Sequence, residues 1–237
     1  ETRYRLARMK PPFARLRHID LLFSARRLWR LSLERCRLQD LEVHILGFTR
    51  QGDVGGNLIP QLYFDYLRTG AAAPLRAVLE HNALDILSLA CLAAVVPAAF
   101  REPARLRSAA EMLGVARWLR AEGRLEEALA LMREAIRRPL AEPLLYETLW
   151  QMADLERRLE RPDAALALWS ELSTVRNPWR AAALERLAIH YEHRERNFAM
   201  ALEMTRAALA LEPSANLRKR EQRLLRRVSS PRPGRLL

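Results

Sequence analysis

The stretch VLEHNALDILSLACL, residues 78 to 92, sets a histidine, an asparagine and an aspartate at the mouth of an otherwise apolar run. Read as a helix, it places His81 and Asp85 one turn apart on one face, with imidazole and carboxylate side by side. A pair at this spacing can be a plain helix-surface contact, worth about 0.2–0.5 kcal/mol. It can also bring a proton acceptor and an anion to bear on one bound group. Two residues cannot decide between these, so the decision falls to the elements that position them.

Other chemistry-bearing residues offer less. Cys36 and Cys91 lie far apart without C-x-x-C spacing, which excludes a zinc knuckle or a disulfide framework and predicts free thiols in a reducing cytoplasm. His44, His190 and His193 lack metal-like partners at useful spacing and read as structural or surface groups. Glu42 and Asp53 read as anchors for local loops.

The chain has 237 residues, half of them hydrophobic, enough for one large or two modest domains with a real core. It begins with Glu1 and shows no leader-like stretch, so a piece of a longer cytoplasmic protein is expected. The longest apolar run, Ile86 to Phe100, contains Ser88 and Pro97 and is shorter than the roughly 20 residues a bilayer crossing takes; a buried helix, not a membrane span, is expected. Of the 40 basic residues 38 are arginines, and the net charge is +12. That charge sits at the ends: residues 1–35 and 214–237 each carry +7, around a body of −2. Such a distribution favours a polyanion near either terminus, and Arg26 and Arg27 are the amino-terminal candidates for nucleic-acid contacts.

Two regimes meet near Pro103. Before it, RHIDLLF has the length of a strand, and SARRLWRLSLERC comes next with helical spacing of Leu28, Leu31 and Leu33 behind a Ser24 cap. LQDLEVHILG predicts a helix stopped by Gly47, TRQGDVGGNLIP a loop, and PQLYFDYLRTG a helix with Pro60 in its first turn and Gly70 at its end. Residues 75–79 then form one helical segment and the opening stretch the next. Beyond Pro103 all is helix. Ala116, Ala128 and Ala135, with Gly123 in a turn, match tetratricopeptide spacing, and Ala165 and Ala201 continue it at intervals of 37 and 36 residues. Three degenerate hairpins over about 106–213 are predicted, each burying its stripe against the next and offering a face to a protein partner, with Trp118, Trp150, Trp169 and Trp179 as packing residues. The tail from 214 on is expected to be a basic, disordered arm.

The ordered series Asp20, Arg27, Leu38, Glu42, Gly47, Arg50, Asp53, Gly56, Pro60, Tyr63, His81, Asn82 and Asp85 resembles the second half of a bacterial ribonuclease H-like exonuclease domain of the YprB type, within the DnaQ-like DEDD superfamily. LAIHYEHRERNFAMALE resembles the tetratricopeptide-like helices that lie behind that domain in the same group. The resemblance implies a mainly α chain: the C-terminal fragment of an α/β ribonuclease H-like domain over 1–102, helical repeats over 103–213, and the tail over 214–237. It implies a 3′–5′ exonuclease using Mg²⁺ or Mn²⁺, in which four carboxylates hold two ions about 3.5–4 Å apart. HNALD is similar to the third motif of such enzymes, with His81 as general base and Asp85 as metal ligand; Asp20 and Asn82 support the site, and Asp20 can equally cap a helix.

The D-x-E pair and the F-N-G-x-x-F-D-like motif of that family have no counterpart here, and ETRYRLAR resembles the residues immediately after the second of them. A two-metal site is therefore expected only in a full-length protein, and this chain alone is expected to hold metal feebly and cleave nothing. The alternative is a non-catalytic helical-repeat scaffold. DNA and RNA are not distinguished, because no base-reading element is visible.

Overall fold

The structure is a computed structural model that describes Tyr4, residues 7–10 and residues 19–229. It divides into two compact units, Glu1–Leu106 and Arg107–Leu237. Among the described residues there is no β-strand.

The first unit is built round one long helix. α1 (Leu21–Trp29) starts where the Asp20 carboxylate accepts the Leu22 N–H at 2.9 Å, and it buries Ala25, Leu28 and Trp29 on one side. This corrects the strand expected over RHIDLLF and the cap expected at Ser24. Without a paired neighbour a strand leaves its N–H and C=O groups unbonded, whereas a capped helix satisfies them within itself. Arg17 and His18, the start of that stretch, lie outside the described residues. α2 (Leu38–Leu41) opens with Asp40 accepting the Arg37 N–H at 3.0 Å. It runs into a π-helical turn, Glu42–Leu46, ended by Gly47 at φ +70°, a left-handed position where only glycine is free of Cβ strain. α3 (Ile59–Thr69) has Pro60 in its first turn and Gly70, at φ +72°, at its end, as its sequence predicts.

α4 (Leu75–Arg101) is one continuous helix rather than two segments, and it passes through Ser88 and Pro97 unbroken. Pro97 only forfeits the one hydrogen bond its missing N–H would have made. Ser88, Leu92, Val96 and Ala99 form the buried stripe, and α1, the π-helical turn and α3 all pack on this helix. The rest of α4 is not the buried helix its composition predicts: Leu79, Ile86, Leu87 and Leu89 are exposed. By length and composition alone α4 could cross a membrane, and 22% of its most apolar window is buried.

The second unit is a run of antiparallel helix pairs: α5 (Ala109–Ala121) with α6 (Leu125–Ala135), α7 (Glu142–Arg158) with α8 (Pro162–Thr174), and α9 (Arg180–His193) with α10 (Phe198–Leu211). Helix α5 begins in a capping box, where Ser108 and Glu111 each bond the other's backbone N–H. Ala116, Ala128, Ala135, Ala165 and Ala201 are completely buried, so the small residues stand where helices approach most closely. Trp150 and Trp179 stack with ring centroids 5.2 Å apart, and Trp169 belongs to the cluster around Leu172 and Leu187.

The turns inside the three pairs share one feature. Gly123, Glu160 and Arg196 have φ of +80°, +59° and +54°, and they are spaced by the same 37 and 36 residues as the alanines. α11 (Ala215–Ser229) occupies much of the tail expected to be disordered; it buries Leu217 and Leu224 and packs on α10. Its order has a cause in the partner it finds. The Glu192 carboxylate, 1% exposed, accepts from Arg220 at 2.6 Å and from both ends of the Arg223 fork at 2.8 Å. The Ser-Pro-Gly stretch beyond 229 lies outside the described residues.

Candidate functional site

One face of α4 carries His81, Asp85 and Ser88 in successive turns, continuous with the apolar stripe below them. The core contacts of Leu92 and Val96 thus fix the rotation of the polar end. Opposite it, the π-helical turn presents Glu42, and the loop after it presents Arg50 and Asp53.

Arg50 is the centre of the group, with a side chain 5% exposed. Its Nε and Nη2 donate to the two oxygens of Glu42 at 2.8 and 2.5 Å, Nη2 donates also to Asp85 Oδ1 at 2.6 Å, and Nη1 donates to Asp53 Oδ2 at 3.1 Å. Ser88 donates to Glu42 at 2.5 Å from the helix side. The bonds from Glu42, outweighing the opposite push of burial, raise the Arg50 pKa still further above its ordinary value, so the guanidinium is a fixed positive charge.

Asp53 holds His81. The imidazole Nδ1 lies 2.8 and 3.0 Å from the two Asp53 oxygens, and Arg50 Nη1 lies 3.2 Å from the same nitrogen. An ionised carboxylate only accepts, so Nδ1 is the donor to Asp53. That Nε2 faces Asp85 Oδ2 at 3.5 Å. Burial pushes the Asp53 carboxyl up, but its hydrogen bonds with His81 and Arg50 outweigh burial and hold it below the usual aspartate range. The result is an Asp53–His81–Asp85 row in which the imidazole is oriented from behind and its Nε2 shares an opening with one carboxylate oxygen. Asp85, 36% exposed, is the member of the row that meets solvent. Three carboxylates thus face one guanidinium and one imidazole.

The structure brings His81 and Asp85 together and leaves the other expected residues apart. Asp20 caps α1. Asn82, next to His81, is exposed and makes no hydrogen bond to the group. Arg26 lines a cavity of about 480 Å³ together with Arg30, Arg35 and Arg37, one residue position from Arg27. Cys36 shares that cavity, and burial raises its thiol pKa despite the arginines. Glu42, Arg50 and Asp53 were missed as partners of the pair, although they stand in the same ordered series. Ser88 had a legible signal, lying seven residues after His81 on its face.

Residues 1–96 match the model of the RNase_H superfamily. Across almost the whole chain there is also a relative: the uncharacterized protein YprB of Bacillus subtilis (strain 168) is 30% identical over 239 residues, covering 97% of this chain. The chain spans 57% of that relative's length.

Superfamily members of this kind generally use divalent metals, which sets a test of the donors. Among the described residues no group of three or more His, Cys, Asp or Glu side chains is placed to hold a metal ion. Each carboxylate near His81 is bonded to Arg50, and one Asp85 oxygen is left towards the opening. A hard cation such as Mg²⁺ wants several oxygens in near-octahedral order. The described residues do not build a two-ion site.

Proposed function

We propose that the amino-terminal unit is the C-terminal portion of a divalent-metal-dependent 3′–5′ exonuclease domain acting on nucleic acid in the cytoplasm. In this reading His81 takes a proton at Nε2, Asp53 and Arg50 hold the ring and the Asp85 carboxylate in register, and Asp85 contributes one oxygen towards a cation. Mg²⁺ or Mn²⁺ is then held only with carboxylates from outside these residues, and the 237 residues by themselves cleave nothing. The second unit is read as tetratricopeptide-like repeats, on the alanine period and the recurrent left-handed turn. The observation that carries the reading is the Asp53–His81–Asp85 row on a helix whose other end is core.

The test is a 3′-end-labelled single strand incubated with Mg²⁺ or Mn²⁺. A chain extended upstream to include the D-x-E and F-N-G-x-x-F-D-like motifs is expected to shorten the strand from its 3′ end, and His81→Ala and Asp85→Asn each lower the rate on the order of 10²–10⁴-fold. Shortening that survives both substitutions would overturn the assignment. Shortening by the 237 residues alone, dependent on His81 and Asp85, would overturn their inactivity.

A second reading, a non-catalytic scaffold, is favoured by the same Arg50, whose bonds to all three carboxylates suit a structural lock. It predicts that the extended chain also leaves the strand intact.

A further inference from the structure

We propose that the second unit carries its own binding site for single-stranded nucleic acid, a cavity between the α7–α8 turn and the second half of α9, in which Arg186 and Arg194 take backbone phosphates. The ligand's identity rests on the nucleic-acid reading above; the presence of an anion site does not.

The cavity measures about 630 Å³, within the range of small-ligand sites, which is room for about one or two nucleotides and none for a duplex. Its walls are made by two faces. α9 buries Ala183, Leu184, Leu187, Ala188 and Glu192, while Arg186, His190, His193 and the adjoining Arg194 line the cavity from its second half. The other wall carries Arg157, the apolar Pro162 and the edge of Trp169.

Cations near a helix C-terminus are ordinarily explained by the helix dipole. His190, His193 and Arg194 admit that explanation. Arg186 does not, because it stands two turns before the helix end. Neither does the pairing pattern: Arg157 is 2.8 Å from Asp154 and His190 3.0 Å from Glu195, whereas no carboxylate among the described residues pairs with Arg186 or Arg194. Two unpaired guanidinium forks therefore face a hollow that holds a single acidic side chain, Glu160.

The donor inventory selects the ligand class. Apart from Glu160, the polar side chains on these walls are arginines, imidazoles and the Trp169 indole, and none is an amide. A peptide in the cavity would bring N–H groups needing acceptors, and among these side chains only Glu160 is an acceptor alone. A phosphodiester needs donors alone, in the geometry an arginine fork supplies. The apolar edge of Trp169 with Pro162 and Ile189 gives a base a surface beside the phosphate.

The experiment is fluorescence anisotropy of a labelled ten-nucleotide oligo-dT with the whole chain in EDTA, over a range of salt. Arg186→Ala/Arg194→Ala is expected to weaken binding on the order of tenfold and to reduce the slope of log K against log salt by about 1.4, the release of two phosphate contacts on a single strand. Arg186→Gln/Arg194→Gln should do the same while keeping side-chain bulk. Arg124→Ala/Arg137→Ala removes equal charge from arginines already paired with Glu127 and Glu134, and is expected to change affinity less than twofold. Unchanged binding in both Arg186/Arg194 doubles overturns the site. Displacement by polyglutamate as effective as by oligo-dT at equal ionic strength, or saturation by inorganic phosphate with no gain for the strand, overturns the strand as its ligand. The measurement reads binding in EDTA, so loss of the nuclease reading would appear in cleavage by the extended chain and leave this measurement intact.

Discussion

Two of the buried ionic clusters among the described residues, one in each unit, are built in opposite senses. In the first, a single guanidinium, Arg50, faces Glu42, Asp53 and Asp85; in the second, a single carboxylate, Glu192, faces Arg220, Arg223 and, at 3.7 Å, His193. The Glu192 cluster fastens α11 to the helix pairs, and one of its arginines reaches outward: Arg223 is 47% exposed, Arg220 16%. Its surplus positive charge is shed to solvent. The Arg50 cluster holds Glu42 and Asp53 inside beside an oriented imidazole and turns Asp85 to solvent. Packing differs in the same direction. The second unit has many fully buried alanines and leucines, whereas the first leaves Leu79, Ile86, Leu87 and Phe64 exposed. A dense frame with an outward-reaching arginine is how a chain staples structure. Inward charge on a thinly packed frame stores an electrostatic demand that something further must meet.

The largest expected effect comes from that difference. Arg50→Ala leaves the Glu42 carboxylate, 1% exposed, without a counter-charge, and should cost the first unit about 3–5 kcal/mol. Urea unfolding monitored by a probe in that unit checks this; a loss under about 1 kcal/mol would mean that water already reaches Glu42. Replacing both partners, Glu42→Gln with Arg50→Met, should recover part of the loss. Next in size, Leu172→Ala opens a cavity in the packed second unit and should cost about 2–5 kcal/mol, against less than about 0.5 kcal/mol for Leu87→Ala on the exposed side of α4. Equal costs would show that α4 is covered in solution.

A smaller effect separates the clusters by pH. Burial pushes the Asp53 and Glu192 carboxyls up, but in each case the bonds and charges of the partners outweigh it, so both folded-state pKa values lie below the unfolded ones. Each group then contributes stability that is present above its ordinary pKa, near 4, and is lost as pH falls through the lower folded value. Urea midpoints measured between pH 6 and pH 2.5 should fall below about pH 4 for both units. Asp53→Asn should flatten the first unit's profile alone, and Glu192→Gln the second's alone.

How much of the molecule is legible in the sequence depends on range. The repeat period, the capping glycines at 47 and 70 and the His81–Asp85 pair are local patterns, each set by residues within a few turns. The Arg50 network was not legible as a network, because it joins positions 42, 50, 53, 81, 85 and 88 from three elements whose approach depends on Leu92 and Val96 packing. RHIDLLF misleads for a related reason: its length and composition suit a strand only where other strands are present to pair. The ordered tail has the same lesson in reverse, since the carboxylate that orders α11 sits 28 residues before Arg220.

The smallest effect tests whether the second unit's regularity extends to its backbone. Gly123, Glu160 and Arg196 occupy one repeat position with positive φ, and only the first is a glycine. A non-glycine residue there costs about 1–2 kcal/mol, whereas a glycine gives back about 0.4–1 kcal/mol through the freer unfolded chain. Arg196→Gly should therefore stabilise by up to about 1 kcal/mol, and Gly123→Ala should destabilise by about 1 kcal/mol, both readable as opposite shifts in Tm. If Arg196→Gly lowers Tm instead, the arginine side chain must contribute more than its backbone strain costs, and the third turn would be held by a contact rather than by the period it shares with the first.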